Sequence, residues 1–426
     1  MEMRSVTERI EQKKGRLFLV EPTFVLKVGH VSQCTYLFAK QAKELNFDVF
    51  IIVPENAPFG TSVEKDFELL RVLPNTYDSF LIEGLKYRYK LRILVLILSI
   101  ILGKKLRRKM IFLFDRLNWF IEYRLKSKKV WSAVNSEYSF TEKDRFVFPN
   151  ADFVTTKSLL KYLRRNLSDN LPSVGLRFIN VMENNGIPKF QNSNSLFRFL
   201  QRTKSKGFKI DVTAETDSYR AYIGQFVTGV SICEYPQNSQ ISKKQRKEAE
   251  SRLLTLGSLG SARPDKGFGA LGGLIPRLLA FKDKEIEILV QEATQSWGYE
   301  YETTLTSLRN YSQITFLPGY LTHEEMNDSI KKCDVLLMPY DVDIYQFRGS
   351  AMLFEAADLG IPMIVPSKTG LGEVVRKYGL GATFNDEADV LLALKVLLQI
   401  DSKTLKNRFS SYNLQRQKNF EKLILG

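Results

Sequence analysis

The residues with the plainest chemistry in this chain are cations and glycines, set at three points where an apolar run gives way to a helix-period stretch. The first is Gly257-Ser258-Leu259-Gly260-Ser261-Ala262-Arg263-Pro264-Asp265-Lys266-Gly267, between the apolar run 253–256 and a helical pattern over 268–281. Glycines let the backbone approach a ligand, a helix amino terminus offers free N–H groups, and Arg263 and Lys266 add two fixed positive charges. Such a segment suits a diphosphate, or is a surface loop with solvated basic residues. The second point is Tyr345-Gln346-Phe347-Arg348-Gly349-Ser350, running into a helical pattern that carries Glu355. Arg348 and the N–H groups of Gly349 and Ser350 suit phosphate oxygens. Glu355 lies among Leu353, Phe354, Ala356 and Ala357, where a carboxylate needs a partner: a vicinal diol, or a salt bridge to a neighbouring helix. The third is Pro366-Ser367-Lys368-Thr369-Gly370-Leu371-Gly372-Glu373, again between an apolar run and a helical pattern. Three anion-compatible junctions in order within one half of the chain point to a shared anionic ligand.

These junctions need a scaffold. With 426 residues, 44% of them hydrophobic and 26% charged, the chain can build two domains, each with its own core, and is excluded from the disordered class. A strand at 16–20, a loop through Gly29-His30, a helix over 32–45 and a strand at 49–53 make a βαβ unit, which implies a parallel sheet covered by helices. The rhythm continues through 80–82, an apolar helix near 86–102, a strand at 110–114, and a strand at 152–156 leading into a helix at 159–163. The Asn-, Ser- and Lys-rich stretch 187–207 reads as a loop, and the polar stretch 237–246 as a linker. A second series follows, with strands at 253–256, 287–290, 314–316, 335–338 and 362–365. Helices at 268–281, 324–332, 350–359 and 371–378 alternate with them, and a final helix spans 403–424. The expected fold is α/β: two Rossmann-like doubly wound domains, 1–240 and 250–400, facing a cleft at the strand carboxyl ends, with a C-terminal helix, 401–426, packing back toward the first domain.

In order and spacing the second half resembles the donor half of GT-B glycosyltransferases, and more closely the large nucleotide-sugar family numbered four. The matching residues are Leu256-Gly257 and Arg263-x-x-Lys266-Gly267-Phe268; Phe316-Leu317-Pro318-Gly319 with Glu324-Glu325; Cys333 to Pro339; Arg348-Gly349-Ser350 through Glu355-Ala356 to Gly360-Ile361-Pro362; and Gly370-x-Gly372-Glu373. The resemblance implies that Arg263, Lys266 and Gly267 hold the donor diphosphate with Arg348, Gly349, Ser350 and Gly370. It implies that Glu355 holds the ribose, with a catalytic part, and that the loop around Gly319 holds the base. It also implies a sugar nucleotide of UDP or GDP type used as substrate, with no cofactor and no metal, because fixed cations and helix amino termini can stabilise the leaving diphosphate. The family has a further glutamate eight positions before Glu355. Here that position is Phe347, and Tyr345 and Arg348 would take over its neighbourhood. In the first half the match is limited to Gly29-His30 and the segment 151–158. His30 would contact the transferred sugar or the acceptor, or serve structure only, and Asp115, at the end of the 110–114 strand, faces the same edge on the acceptor side.

Charge divides the chain in the same way. Of 62 Lys and Arg and 47 Asp and Glu, residues 1–250 hold 42 basic and 26 acidic, whereas 251–426 are nearly balanced. The excess peaks over 86–165, where basic clusters flank the apolar run ILVLILSIIL at 93–102. That run is about half of the roughly 20 residues a spanning helix needs. Basic flanks around an apolar centre suit an anionic membrane surface through 86–109, or a buried crossover helix with solvated ends. Nucleic acid is not expected as a partner, since no RNP-type or zinc-finger signature accompanies the charge. Three scattered cysteines, Cys34, Cys233 and Cys333, and an amino terminus without an apolar core imply a reducing, cytoplasmic location, peripheral on the inner membrane face. The expected activity is sugar transfer, with retention at the anomeric carbon, from a nucleotide donor to a lipid-linked or polysaccharide acceptor in cell-surface glycan synthesis. The alternatives are a GT-B nucleotide-sugar epimerase or hydrolase, and a non-catalytic sugar-nucleotide-binding protein.

Overall fold

The structure, a computed structural model, describes residues 14–24, 30–74, 129–167, 171–179, 193–238 and 253–426. The expected strands at 80–82 and 110–114, the helix near 86–102 and most of the 237–246 linker lie outside them. Two all-parallel sheets form the frame. The first has the order β3-β2-β1-β4-β5-β6-β7, from β1 (Gly15–Val20), β2 (Phe47–Pro54), β3 (Leu69–Leu73), β4 (Arg145–Phe148), β5 (Ser173–Phe178), β6 (Ile210–Ala214) and β7 (Val230–Ile232). The second has the order β10-β9-β8-β11-β12-β13, from β8 (Leu253–Ser258), β9 (Glu285–Gln291), β10 (Ile314–Leu317), β11 (Val335–Leu337), β12 (Met363–Pro366) and β13 (Gly381–Phe384). Each order reverses once, at β1/β4 and at β8/β11, so each sheet has the switch point where doubly wound folds bind ligands at strand carboxyl ends.

Helices cover both sheets. Those of the first domain are α1 (His30–Glu44), α2 (Phe153–Asn166), α3 (Ser193–Lys204) and α4 (Asp217–Gly224), with residues 129–138 also helical. Those of the second are α5 (Leu271–Leu279), α6 (Tyr299–Leu308), α7 (His323–Lys332), α8 (Ala351–Leu359), α9 (Gly370–Tyr378) and α10 (Val390–Leu398), followed by α11 (Ser402–Leu425). Strands such as RFVF at 145–148, buried at every position, need apolar or internally paired side chains on both faces, as expected for a covered parallel sheet.

Two expectations are corrected. The segment 152–156 is not a strand: Asp152 caps α2, its carboxylate accepting the N–H groups of Val154 and Thr155 at 3.0 Å each. A capping carboxylate outweighs the β preference of the following Val and Thr residues. Nor is 187–207 a loop throughout, because Ser193–Lys204 is a helix that buries Leu196, Phe197 and Leu200 on one face.

The domains are not independent. One apolar cluster runs from Phe24, Phe38 and Val53 of the first domain to Leu336, Phe354 and Leu371 of the second, by way of Phe409, Tyr412, Phe420 and Leu423 of α11. The rings of Phe38 and Phe420 meet edge to face at 5.0 Å. Arg145 of β4 donates to the Leu423 carbonyl at 2.6 and 3.0 Å, and Asn419 donates to Glu234 at 2.9 Å. Arg416 is the buried joint between the two. Its guanidinium donates to the Tyr235 carbonyl at 2.8 Å, to the Phe354 carbonyl at 3.3 Å and to Asp358 at 2.8 Å, with both ion-pair partners almost fully enclosed. No helix among the described residues is long and apolar enough to cross a membrane.

Candidate functional site

The three junctions singled out in the sequence all lie at the carboxyl edge of the second sheet. After β8 the chain turns through Gly260 and Ser261, both at positive φ, into the short turn Pro264–Lys266 and on to α5. Gly267 closes that turn at φ +71°, and a Cβ there would lie 1.7 Å from the Pro339 carbonyl oxygen. Only glycine permits this approach, which fixes the loop after β8 against the loop after β11. Lys266 is thereby folded inward, its Nζ donating to the Gly260 carbonyl and lying 5.9 Å from the centre of the Tyr340 ring. Burial, with repulsion from Arg263 next, pushes the Lys266 ammonium down to about 7, against the pull of Asp265 and Glu355. Arg263 is partly exposed and pairs with Asp265 at 2.9 Å, and Asp265 also accepts from the Tyr345 hydroxyl at 3.3 Å.

The second junction brings Tyr345, Arg348, Gly349, Ser350 and Glu355 beside the first. Tyr345 is buried, its ring 4.6 Å from that of Tyr340 and 4.8 Å from the Arg348 guanidinium carbon. Ser350 starts α8 without a side-chain cap and donates its hydroxyl to the Tyr340 hydroxyl at 3.4 Å. Glu355 is buried in α8, and desolvation, then repulsion from Asp358, raise its carboxyl to about 8, while Lys266 opposes the rise. Three cations, a buried acid and the start of an apolar helix therefore share one small region, where the low polarity strengthens any charge–charge contact with a ligand.

The third junction contributes differently. Thr369 caps α9 by accepting the Gly372 N–H at 3.0 Å, and Gly370 gives its N–H to the Tyr345 carbonyl at 2.8 Å. Gly370 thus holds the second junction in place. Gly319 follows β10 where a Cβ would meet the Ala293 carbonyl at 2.3 Å. One residue of this edge was not found by sequence reasoning. Gln291, at the end of β9, accepts the N–H groups of Gly260 and Ser261 at 2.7 Å each and donates to the Gly319 carbonyl at 3.2 Å. It ties the loop after β8 to the Gly319 loop, and its position, last in an apolar strand, was the available signal.

The edge of the first domain is reached at Glu21, Asn150, Arg177 and Glu215. Glu21 follows β1, accepts from Asn150 at 2.6 Å and from Thr23, and is raised to about 7 by burial. Arg177 is buried and donates to the Cys233 and Pro149 carbonyls and to Glu215. These were also missed, since none stands in a recognisable spacing. His30 opens α1, but its side chain, like Asp115 and the basic segment 86–109, lies outside the described residues. Phe347, at the position of the family's further glutamate, stacks on Tyr219 and Tyr222 of α4 at 5.7 and 5.3 Å. In this chain that position is part of the contact between domains.

No protein-family model matches the sequence, and no curated protein matches it. Solved structures do match, over almost the whole chain. The lipopolysaccharide outer core galactosyltransferase WaaB is 13% identical, with a TM-score of 0.60, over 96% of this chain and 99% of its own. A glycosyltransferase from Rickettsia africae is 12% identical, with a TM-score of 0.59, over 96% of each chain. HepE of Anabaena, solved with UDP and glucose, is 12% identical, with a TM-score of 0.54, over 96% of this chain and 97% of its own. The chain therefore has the GT-B glycosyltransferase fold, with two Rossmann-like domains.

Proposed function

We propose that this protein is a glycosyltransferase that takes a sugar from a nucleoside-diphosphate donor bound at the edge of the second sheet. The observation that carries the reading is the convergence of Lys266, Arg348 and the start of α8 around the β8 and β11 carboxyl ends, beside the buried carboxyl of Glu355. Arg263, Lys266 and Arg348 would hold the diphosphate, and Glu355 the ribose hydroxyls. As the glycosidic bond to the donor breaks, negative charge grows on the departing diphosphate, and preorganised cations are matched to that charge rather than to the neutral sugar. The acceptor would dock on the first domain. The charge excess of residues 1–250 supports a lipid-linked or glycan acceptor at an anionic membrane surface, on the cytoplasmic side.

A thermal-shift screen of UDP, GDP and their sugar conjugates tests the reading, because a ligand that binds only the folded form raises the melting temperature. Stabilisation by one nucleotide series, followed by sugar transfer from that series to a lipid-linked acceptor, is expected; no shift with any of them would sink the assignment. Binding should also move a proton. At pH 8 the buried Lys266 amine is mostly neutral, since its folded value is about 7, and a bound diphosphate stabilises the ammonium. In Glu355→Gln protein, where the neighbouring carboxyl no longer titrates, nucleoside-diphosphate binding at pH 8 should take up a proton, and affinity should fall as pH rises above 7. Calorimetry in buffers of different ionisation enthalpy reads this directly; proton release would contradict it.

A further inference from the structure

The amino end of α8 already holds an anion, and it comes from the other domain. Glu215, just past the end of β6 and 7% exposed, accepts the Gly349 N–H on Oε2 at 2.9 Å and Arg177 on Oε1 at 2.5 Å. Arg177 is 1% exposed and is fixed by two further carbonyls, so the carboxylate is held rigidly. The lack of a side chain at 349 makes the contact possible, since a Cβ there would lie 2.6 Å from Glu215 Oε2 and 2.9 Å from its Cγ. Other contacts run along this seam beside the anion seat. Thr216 donates to the Phe347 carbonyl at 2.8 Å, Ser218 donates to the Gln346 carbonyl and to Glu373 at 3.0 Å each, and Lys377 pairs with Asp217 at 2.6 Å.

We propose that Glu215 is a resident carboxylate that competes with the donor diphosphate for the Gly349 N–H, so that donor entry is coupled to parting of the two domains along 215–218 and 346–349. The proposal rests on the donor-site reading above. Its physical basis is that one N–H cannot serve two anions, and a carboxylate left beside a diphosphate repels it. The fraction of molecules in which Glu215 has withdrawn therefore scales the apparent donor affinity.

The test is titration calorimetry of UDP and GDP against the full chain, Glu215→Gln, and the double variant Arg177→Met with Glu215→Leu. Glutamine offers one acceptor and one N–H where two donors wait, so it must release either Arg177 or Gly349. The double variant removes the buried charge together with its partner and keeps the measurement possible if the single change fails to fold. Each folded variant is expected to bind the preferred nucleotide about tenfold more tightly than the unchanged chain. In the unchanged chain, nucleotide should speed hydrogen exchange at the Ser218 amide, which is bonded to Glu373 across the seam. Equal or weaker binding by the variants, or unchanged exchange at Ser218, overturns the proposal while leaving the donor site intact. No nucleotide binding by any of the three chains overturns both.

Discussion

Lys266→Met protein is expected to lose sugar transfer by about 100- to 1000-fold, the scale on which a single preorganised charge-stabilising group acts. It should also melt at nearly the same temperature as the unchanged chain. Both effects have one cause. Lys266 is folded inward by Gly267 and Pro339, and its ammonium is depressed to about 7, so the empty site tolerates the charge poorly. Methionine of similar length removes that desolvation cost and gives up one hydrogen bond to the Gly260 carbonyl, a net change of about 1 kcal/mol in either direction. A charge that is unfavourable in the free protein and lies among other cations at a sheet's carboxyl edge is the pattern of a binding group. Steady-state transfer and a melting curve on the same preparation check it. Near-normal transfer would remove Lys266 from the diphosphate site, and a collapsed melting curve would make it a structural residue.

Arg416→Met should destabilise the protein by about 3–5 kcal/mol, because it leaves a buried carboxylate without its counter-charge. Asp358 is 3% exposed and Arg416 1%, and the same guanidinium also satisfies the carbonyls of Tyr235 and Phe354. Arg416→Met combined with Asp358→Leu should recover much of the loss, since matched apolar groups replace a buried ion pair at little cost. Urea unfolding midpoints of the three proteins decide the matter. If the single and double variants unfold alike, the carboxylate is not what makes the single change costly.

Much of the second domain was legible because its chemistry and its architecture use the same residues. Glycines at 257, 260 and 267 mark both a strand-to-helix turn and a close approach of backbone, and the apolar runs at 253–256 and 335–338 are long enough to be read as buried parallel strands. The first domain was harder. Its strands β5 (SVGLRF) and β6 (IDVTA) carry Arg177 and Asp211 inside the pattern. These are charged residues that a period-based reading treats as breaks, yet Arg177 is paired to Glu215 and Asp211 to Arg145. α3 was hidden by its Asn- and Ser-rich approach, although Leu196, Phe197 and Leu200 have helical spacing. At the site, Arg263, Lys266, Arg348 and Glu355 stood out because cations and an acid beside glycines are unusual locally. Gln291 and Glu215 could not, because their roles depend on partners 31 and 134 residues away.

The bond from Arg145 to the Leu423 carbonyl spans 278 residues of chain. At the usual rate of about 5–20 residues per second, a ribosome needs roughly a quarter of a minute to a minute to close that distance. For that interval the emerging first domain carries a guanidinium in β4 whose carbonyl partner has not been made, and an apolar face that α11 has not yet covered. Apolar surface left uncovered for that long is prone to aggregate until the second domain has been translated. Shortening the helix at its far end should show itself first as insolubility during expression, before any defect can be measured in the folded protein.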